Sequence, residues 1–328
     1  MTARGPSERG AALLSVLLMV AVLAVIAATT LDRLALSTKL SVNGTSLAQA
    51  RMFTYAAESI AAARIEDLVT RDAAQTTLEG GWLGREQILP IPVGTATAIV
   101  RDGGNCFNLN SLVSESDGTY QASATGQDQF ASLMVVLGIN ENVARPVAAA
   151  AADWADSDGT PLQNGAEDDA YRGAAQPQLA ANRLYTHPSE LRAVKGVTPA
   201  IYATLSDWIC ALPKAELSPL NVNTLLPEQA PLLVMLFPPG KLGAAMARSY
   251  LAKRPVSGYG SLIRFWEAPE LTALGPSSLV QGQVKLTSNY FLLDTSVSLG
   301  ELTLEGKAMI VGSPAPARLL WRSWGEQE

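Results

Sequence analysis

The densest chemistry in this sequence lies in one stretch, "AAADWADSDGTPLQNGAEDDAYR". It places Asp153, Asp156, Asp158, Glu167, Asp168 and Asp169 within a single turn-rich segment. Carboxylates in such numbers offer hard oxygen ligands, and Ca2+ accepts irregular sets of roughly six to eight oxygens. Counted from Asp156, Asp158 falls at the third position and Glu167 at the twelfth position of an EF-hand loop. The sixth position, a glycine in that loop, is Pro161, so an EF-hand proper is not expected. The other reading is a solvated acidic loop whose like charges are kept apart by water. Residue types alone leave both open. Asp153 has a further option as a capping group, and Asp169, the second of the adjacent pair, as a solvent-facing one.

Other reactive constellations are thin. The aspartates permit a carboxylate pair for hydrolysis, but no cleft-forming aromatic set or partner acid stands out, so no enzyme activity is expected. The single histidine, His187, stands before Pro188 in a turn and reads as a surface or capping group, with no Ser-His-Asp set around it. Two cysteines and one histidine cannot build a structural zinc site without carboxylates. Cys106 and Cys210 are expected to pair if the chain enters an oxidising compartment; otherwise they are two buried thiols.

These residues need elements to hold them. The 328 residues are 48% hydrophobic and 16% charged, an ordinary globular composition with room for one large or two modest domains. Net charge is −6 and the pI about 5.0, which disfavours a polyanion such as DNA as partner.

The N-terminus carries the strongest long-range pattern, "SERGAALLSVLLMVAVLAVIAATTLDR". From Ala11 to Leu31 there is no charged residue, which is long enough to span a bilayer as a helix. Arg4 and Arg9 precede it, placing the N-terminus in the cytoplasm and the bulk of the chain in the periplasm. A secretory signal cleaved near "AVIAATT" is the competing reading. Beyond Leu31 the sequence continues with one glycine and no proline, and Leu34, Leu47, Ala50, Tyr55, Ala61 and Ile65 fall at roughly helical spacing. A helix to about Val69 is predicted, and it makes the apolar run the root of a stalk.

On these residues the chain resembles the type IV pilin-like proteins, whose short leader ends in glycine. The resemblance implies cleavage between Gly10 and Ala11 by a prepilin peptidase, and methylation of Ala11. Major members carry glutamate at the fifth mature position, which is Ser15 here. That departure is similar to one long subclass, the minor pseudopilin K of type II secretion (the GspK family). A buried carboxylate needs a cationic partner. A subunit at a filament tip has no neighbour beyond it to supply one, so Ser15 suits a tip position.

The remaining elements follow the same division. "VGTATAIVRDGGNCFNLN" alternates as a strand before a Gly-Gly turn. "QVKLTSNYFLLDTSVSLGELTLEGKAMIVGS" and "ARLLWRSW" give three or four more, punctuated by Gly300 and Gly306. Between them lie about 160 residues of mostly helical texture. That insertion has a faint repeat: "CFNLNSL" is echoed by "PLNVNTL", each followed by two apolar helical segments. The asparagines read as turn and cap residues. "SELRAVKGVTPAIYATLSDWICALP" adds a helical hairpin in which Ser189 is the expected cap. Paired helices of this kind also resemble helix-hairpin-helix modules of DNA-uptake and repair proteins, but "FPPGKLG" and "VKGVTPA" lack their Gly-x-Gly.

The expected architecture is α+β: a pilin-like fold with a long N-terminal transmembrane helix, a small antiparallel sheet and a large α-helical insertion. Its divisions are a leader (1–10), an N-terminal helix (11–70, with 11–31 transmembrane), an α/β domain (71–112 and 277–328) and an inserted helical domain (113–276). The resemblance to the K class covers nearly the whole chain. It extends to the acidic stretch ("DW-x-D-x-D … G-x-E-D-x-x-Y") and implies bound calcium there. It further implies an inner-membrane, non-enzymatic component at the pseudopilus tip. The implied partners are minor pseudopilins of the I and J classes, the prepilin peptidase, the inner-membrane secretion platform, and the secretin or cargo, with no nucleic acid. The alternative is a membrane-tethered DNA-binding protein of the DNA-uptake type.

Overall fold

The computed structural model describes residues 6–173 and 177–325, with side chains from residue 11 onward. Residues 1–5 of the expected leader lie outside the described residues. Helix α1 runs from Pro6 to Arg71, 66 residues, or about 100 Å at roughly 1.5 Å per residue. Residues 11–45 are exposed throughout. From there one face is covered: Ala50, Thr54, Ala57, Glu58, Ala61 and Ile65 are buried at spacings of three and four. The small alanines let α1 lie close on a sheet.

That sheet begins with β1 (Gln87–Leu89) and β2 (Thr95–Asp102), after which the chain leaves for a head. The first lobe of the head opens with β3 (Phe107–Asn108), a 3-10 turn (Leu109–Leu112) and a hairpin of β4 (Val113–Ser116) and β5 (Thr119–Ala122). It continues with α2 (Ala124–Val136), α3 (Glu141–Asp153), α4 (Asp168–Arg172), a 3-10 turn (Pro188–Ala193) and α5 (Pro199–Leu205), and closes with β6 (Ile209–Cys210). The second lobe holds β7 (Leu220–Asn221), α6 (Ala230–Val234), α7 (Ala244–Ala252), α8 (Leu262–Trp266), α9 (Pro269–Thr272), α10 (Ser278–Gln283) and β8 (Val284–Lys285). The chain then returns through β9 (Tyr290–Leu299), β10 (Leu302–Val311) and β11 (Arg318–Trp324).

The five long-range strands form one antiparallel sheet in the order β1-β2-β9-β10-β11. β2 and β9 are neighbours, with Asp102 opposite Phe291 and Thr95 opposite Ser298, so the whole head is inserted between adjacent strands. Ala61 and Ile65 pack with Phe291 and Leu293, whereas Ala50 packs with Val297 and Leu299. β9 therefore runs back along α1 toward its exposed, apolar N-terminal half. The head leaves the sheet at the opposite end, beside the C-terminus of α1, where Asn221 Nδ2 donates to the Thr76 carbonyl at 3.0 Å.

The faint repeat is a structural one. β3 pairs parallel with β6 and β7 with β8, so each lobe starts and ends at a two-residue ladder. Asn108 Oδ1 accepts from the Asn110 and Leu212 N–H groups while its Nδ2 donates to the Lys214 and Glu216 carbonyls. In the second lobe Asn221 Oδ1 accepts from Asn223 N–H, and its Nδ2 donates to Thr76 and Ser288. The second asparagine of each pair takes the N–H of a tyrosine: Asn110 that of Tyr185, Asn223 that of Tyr259. Besides the local cap, these side chains tie segments 36 to 145 residues apart.

Three local expectations change. The β4–β5 hairpin and the two parallel ladders lie in or beside a stretch that reads as helical, because each strand is too short to show alternation. Gly306 is inside β10, opposite Thr295 and Trp324, where a Cβ would press on the Thr295 hydroxyl. The turn at Pro188 is capped by His187, whose Nδ1 accepts from Ser189 N–H at 3.2 Å while Glu190 reaches back to the His187 N–H at 3.1 Å. That is a capping box in which His187, read as a surface or capping group, takes the cap expected of Ser189.

Candidate metal centre

Helix α3 delivers Asp153 at its C-terminal end, after the run of alanines Ala148–Ala152 that packs it into the lobe core. The loop that follows folds back over this end. Asp153 accepts the Leu162 N–H at 3.2 Å and the Ala166 N–H at 2.6 Å. Gly165 lies so close to the Asp153 carboxylate that any Cβ would collide with it. The closure carries Asp156 and Glu167 to the same point. One carboxylate oxygen from each of Asp153, Asp156 and Glu167 lies within 4.8 Å of the others.

All three are buried, at 0%, 2% and 5% exposure. Asp156 Oδ1 and both Glu167 oxygens have no hydrogen-bond partner. Buried acceptors without donors are costly, and three carboxylates together more so. Burial first, then repulsion from the neighbouring carboxylates, pushes Asp156 and Glu167 up to about 7 and raises Asp153 as well. A small hard cation removes both penalties, and an all-oxygen donor set matches Ca2+. The residues present fit that ion.

The other three acids are not part of this trio, although the charge of Asp158 bears on all three of its carboxylates and that of Asp168 on Glu167. Asp158 turns outward, its Oδ1 accepting the Thr160 N–H at 2.7 Å. Asp168 is held by Arg172 at 2.9 Å and accepts the Ala180 N–H at 3.1 Å. The Asp169 side chain is 99% exposed and also meets Arg172. The motif contains Trp154 and Tyr171 but gave them no role; they stand edge to face at 5.2 Å as an aromatic wall of the site. Gly165, also in that motif two residues before Glu167, had no assigned role; the structure makes it the residue that lets the loop close.

The remaining site residues are elsewhere. Cys106 and Cys210 form a disulfide beneath the head, packed with Leu212, Tyr290, Met309 and Val311 on the face of the sheet away from α1. Gly10 and Ala11 lie within α1. Ser15, five residues into the expected mature chain, is exposed, with its Oγ donating to the Ala12 carbonyl at 2.9 Å. α1 includes a stretch long and apolar enough to cross a membrane.

Family models described as "Type II secretion system (T2SS), protein K" match residues 105–214 and 220–287, one per lobe. The type II secretion system protein K of Klebsiella pneumoniae is 31% identical over 303 residues, covering 92% of each chain. That of Aeromonas hydrophila is 36% identical over 258 residues, covering 77% of each. The chain belongs to the type II secretion system protein K family. It is a minor pseudopilin. In fold it is similar to a chain in the crystal structure of the GspK-GspI-GspJ complex from enterotoxigenic Escherichia coli. The TM-score is 0.76 and identity 26%, over 88% of this chain and 99% of that one. The α+β architecture with its long N-terminal apolar helix is thus that of a structural pseudopilin K, and the DNA-uptake class is not its family.

Proposed function

We propose that this minor pseudopilin caps the pseudopilus tip together with sister minor pseudopilins of the I and J classes, and that it starts or limits pseudopilus assembly for protein export. The observation that carries the reading is the place of the head. It is inserted between β2 and β9 at the end of the sheet beside the C-terminus of α1, farthest from the apolar run. A bulk placed there broadens the distal end of a subunit whose exposed helix packs with others. The related chain's presence in a GspK-GspI-GspJ complex supports the choice of partners.

In this reading the prepilin peptidase cuts between Gly10 and Ala11 and methylates Ala11. Residues 11–31 cross the inner membrane with the N-terminus cytoplasmic, and the bulk is periplasmic. The inner-membrane platform engages the anchor, and the head meets secretin or cargo. The protein has no catalytic role. Asp153, Asp156 and Glu167 hold a structural calcium ion, supported by the unpartnered buried oxygens.

The test is the mass of the mature N-terminus in cells with and without the prepilin peptidase, combined with co-purification of the I and J proteins. A chain starting at methylated Ala11 only when the enzyme is present, and retaining both sisters, is expected. A start near Thr29, or an uncut chain in both strains, overturns it.

A further inference from the structure

The candidate metal loop is wired to the surface where the head meets the sheet. Tyr171, in the short helix after Glu167, is 3% exposed, and its hydroxyl accepts the Lys195 N–H at 3.3 Å. Lys195 lies in the turn between the Pro188–Ala193 3-10 turn and α5. A second connection runs beside the first. Asp168 accepts the Ala180 N–H, the Trp154 carbonyl accepts the Asn182 N–H at 3.0 Å, and Gln178 Nε2 donates to the Ala193 carbonyl at 3.1 Å. A third fixes residues 177–186 from the core side: Tyr185 Oη donates to the Ala151 carbonyl, two residues before Asp153.

The far end of this wiring faces a groove of about 900 Å³. Pro188, Arg192 and Tyr202 line its head side, and Leu292, Lys307 and Met309 its sheet side. At its rim the His187 ring stands edge-on to Trp321 of β11, with centroids 5.5 Å apart. Every segment joining loop and groove is short: α4 has five residues, the 3-10 turn six and α5 seven. Helices of this length do not hold themselves and depend on such tertiary ties.

We propose that cation occupancy of the Asp153, Asp156 and Glu167 cluster controls how firmly residues 177–205 are held against the sheet, with the Tyr171 hydroxyl as a principal coupling contact. This rests on the calcium reading above. A filled cluster locks the loop, the loop fixes α4, and α4 fixes the wall of the groove through Lys195 and Ala180. An empty cluster leaves one oxygen of Asp156 and both of Glu167 buried without partners and loosens that wall. The head–sheet groove of this pseudopilin is thereby a calcium-conditioned surface, formed fully only in a calcium-containing compartment.

The experiment is backbone hydrogen exchange on the full chain in detergent, in excess EDTA and in excess CaCl2, with calcium binding measured by calorimetry on the same samples. At calcium about 100-fold above its dissociation constant, amides whose opening requires release of the ion exchange about 100-fold more slowly. We expect that slowing at 159–172 and also at 188–205, including Lys195. Tyr171→Phe keeps the ring against Trp154 and removes only the acceptor. It should bind calcium with wild-type stoichiometry while protection at Lys195 and its neighbours no longer follows the ion. Calcium binding with protection confined to 159–172 in the wild type overturns the coupling and leaves the metal reading standing. Absence of binding in the wild type overturns both. Glu167→Gln, which removes one carboxylate, serves as the non-binding reference.

Discussion

At the scale of single residues, buried charge governs the energetics in two places. In the first, three carboxylates converge around a loop that closes only because Gly165 has no side chain. Gly165→Ala is expected to destabilise the head by about 3 kcal/mol, the upper end of the cost of forcing a methyl group into a packed site, and to abolish calcium binding. Denaturant melts and calorimetry read both, and retained binding would show that the loop closes another way. In the second, Asp102 is buried where sheet and head meet, accepting from the Ser288 and Thr224 hydroxyls and the Gly104 N–H. Desolvation raises its pKa, and those hydrogen bonds only partly offset the rise. A raised folded-state pKa means that the native state holds the proton more tightly. Its stabilising contribution is complete below the ordinary value of 3.8 and is lost as pH rises through the folded value. Asp102→Asn, which cannot titrate, should therefore gain on the wild type as pH rises from about 4 to 7.5. Unfolding free energies at several pH values test this, and a difference independent of pH contradicts it.

At the scale of elements, the joints are side-chain clamps, because the parallel ladders that close each lobe are only two residues long. Cys106–Cys210 closes a sequence separation of 104 residues beside the β3–β6 ladder. Replacing both cysteines by serine is expected to cost about 4–5 kcal/mol if the chain-entropy account holds, with the head loosening from the sheet before the sheet itself unfolds. Protease nicking within residues 105–214, compared with cleavage in β9 and β10, separates these events. Simultaneous loss of all elements would place the disulfide in one cooperative unit. The sequence showed the Asn-x-Asn pair and its repetition, yet it could not show what Asn108 and Asn221 grip. Their partners at Leu212, Lys214, Thr76 and Ser288 are distant in the chain. Local pattern reading sees a capping residue in such an asparagine, whereas the cross-chain hydrogen bonds depend on tertiary approach.

At the scale of the whole molecule, the chain is a long helix half covered by a sheet and topped by a two-lobed head. The half left bare continues past the membrane-spanning run: Leu34, Leu40, Met52 and Ile60 are 59%, 63%, 64% and 44% exposed. Exposed apolar side chains spread over that length of helix are suited to contact with other subunits. Changing Met52 and Ile60 to glutamate should leave the fold within about 0.5 kcal/mol of wild type, as for other exposed positions, while preventing co-purification with the I and J proteins. Unchanged recovery of both sisters would mean that they are held by the head alone.

The sequence by itself determined what is periodic or compositional. The apolar run and stalk of α1, the alternation in β2, β9 and β10, and the acidic stretch are visible because each rests on neighbouring residues. Tertiary structure decided what depends on closure. It chose Asp153, Asp156 and Glu167 from six acids, because the Gly165 turn buries these three and leaves Asp169 in solvent. It brought Cys106 to Cys210, because β3 and β6 pair where the first lobe closes, and set the head at the distal end of the sheet, because β2 and β9 pair across the whole insertion. A carboxylate's chemistry is fixed by its type. Whether it becomes a ligand is fixed by the water it loses when the chain folds over it.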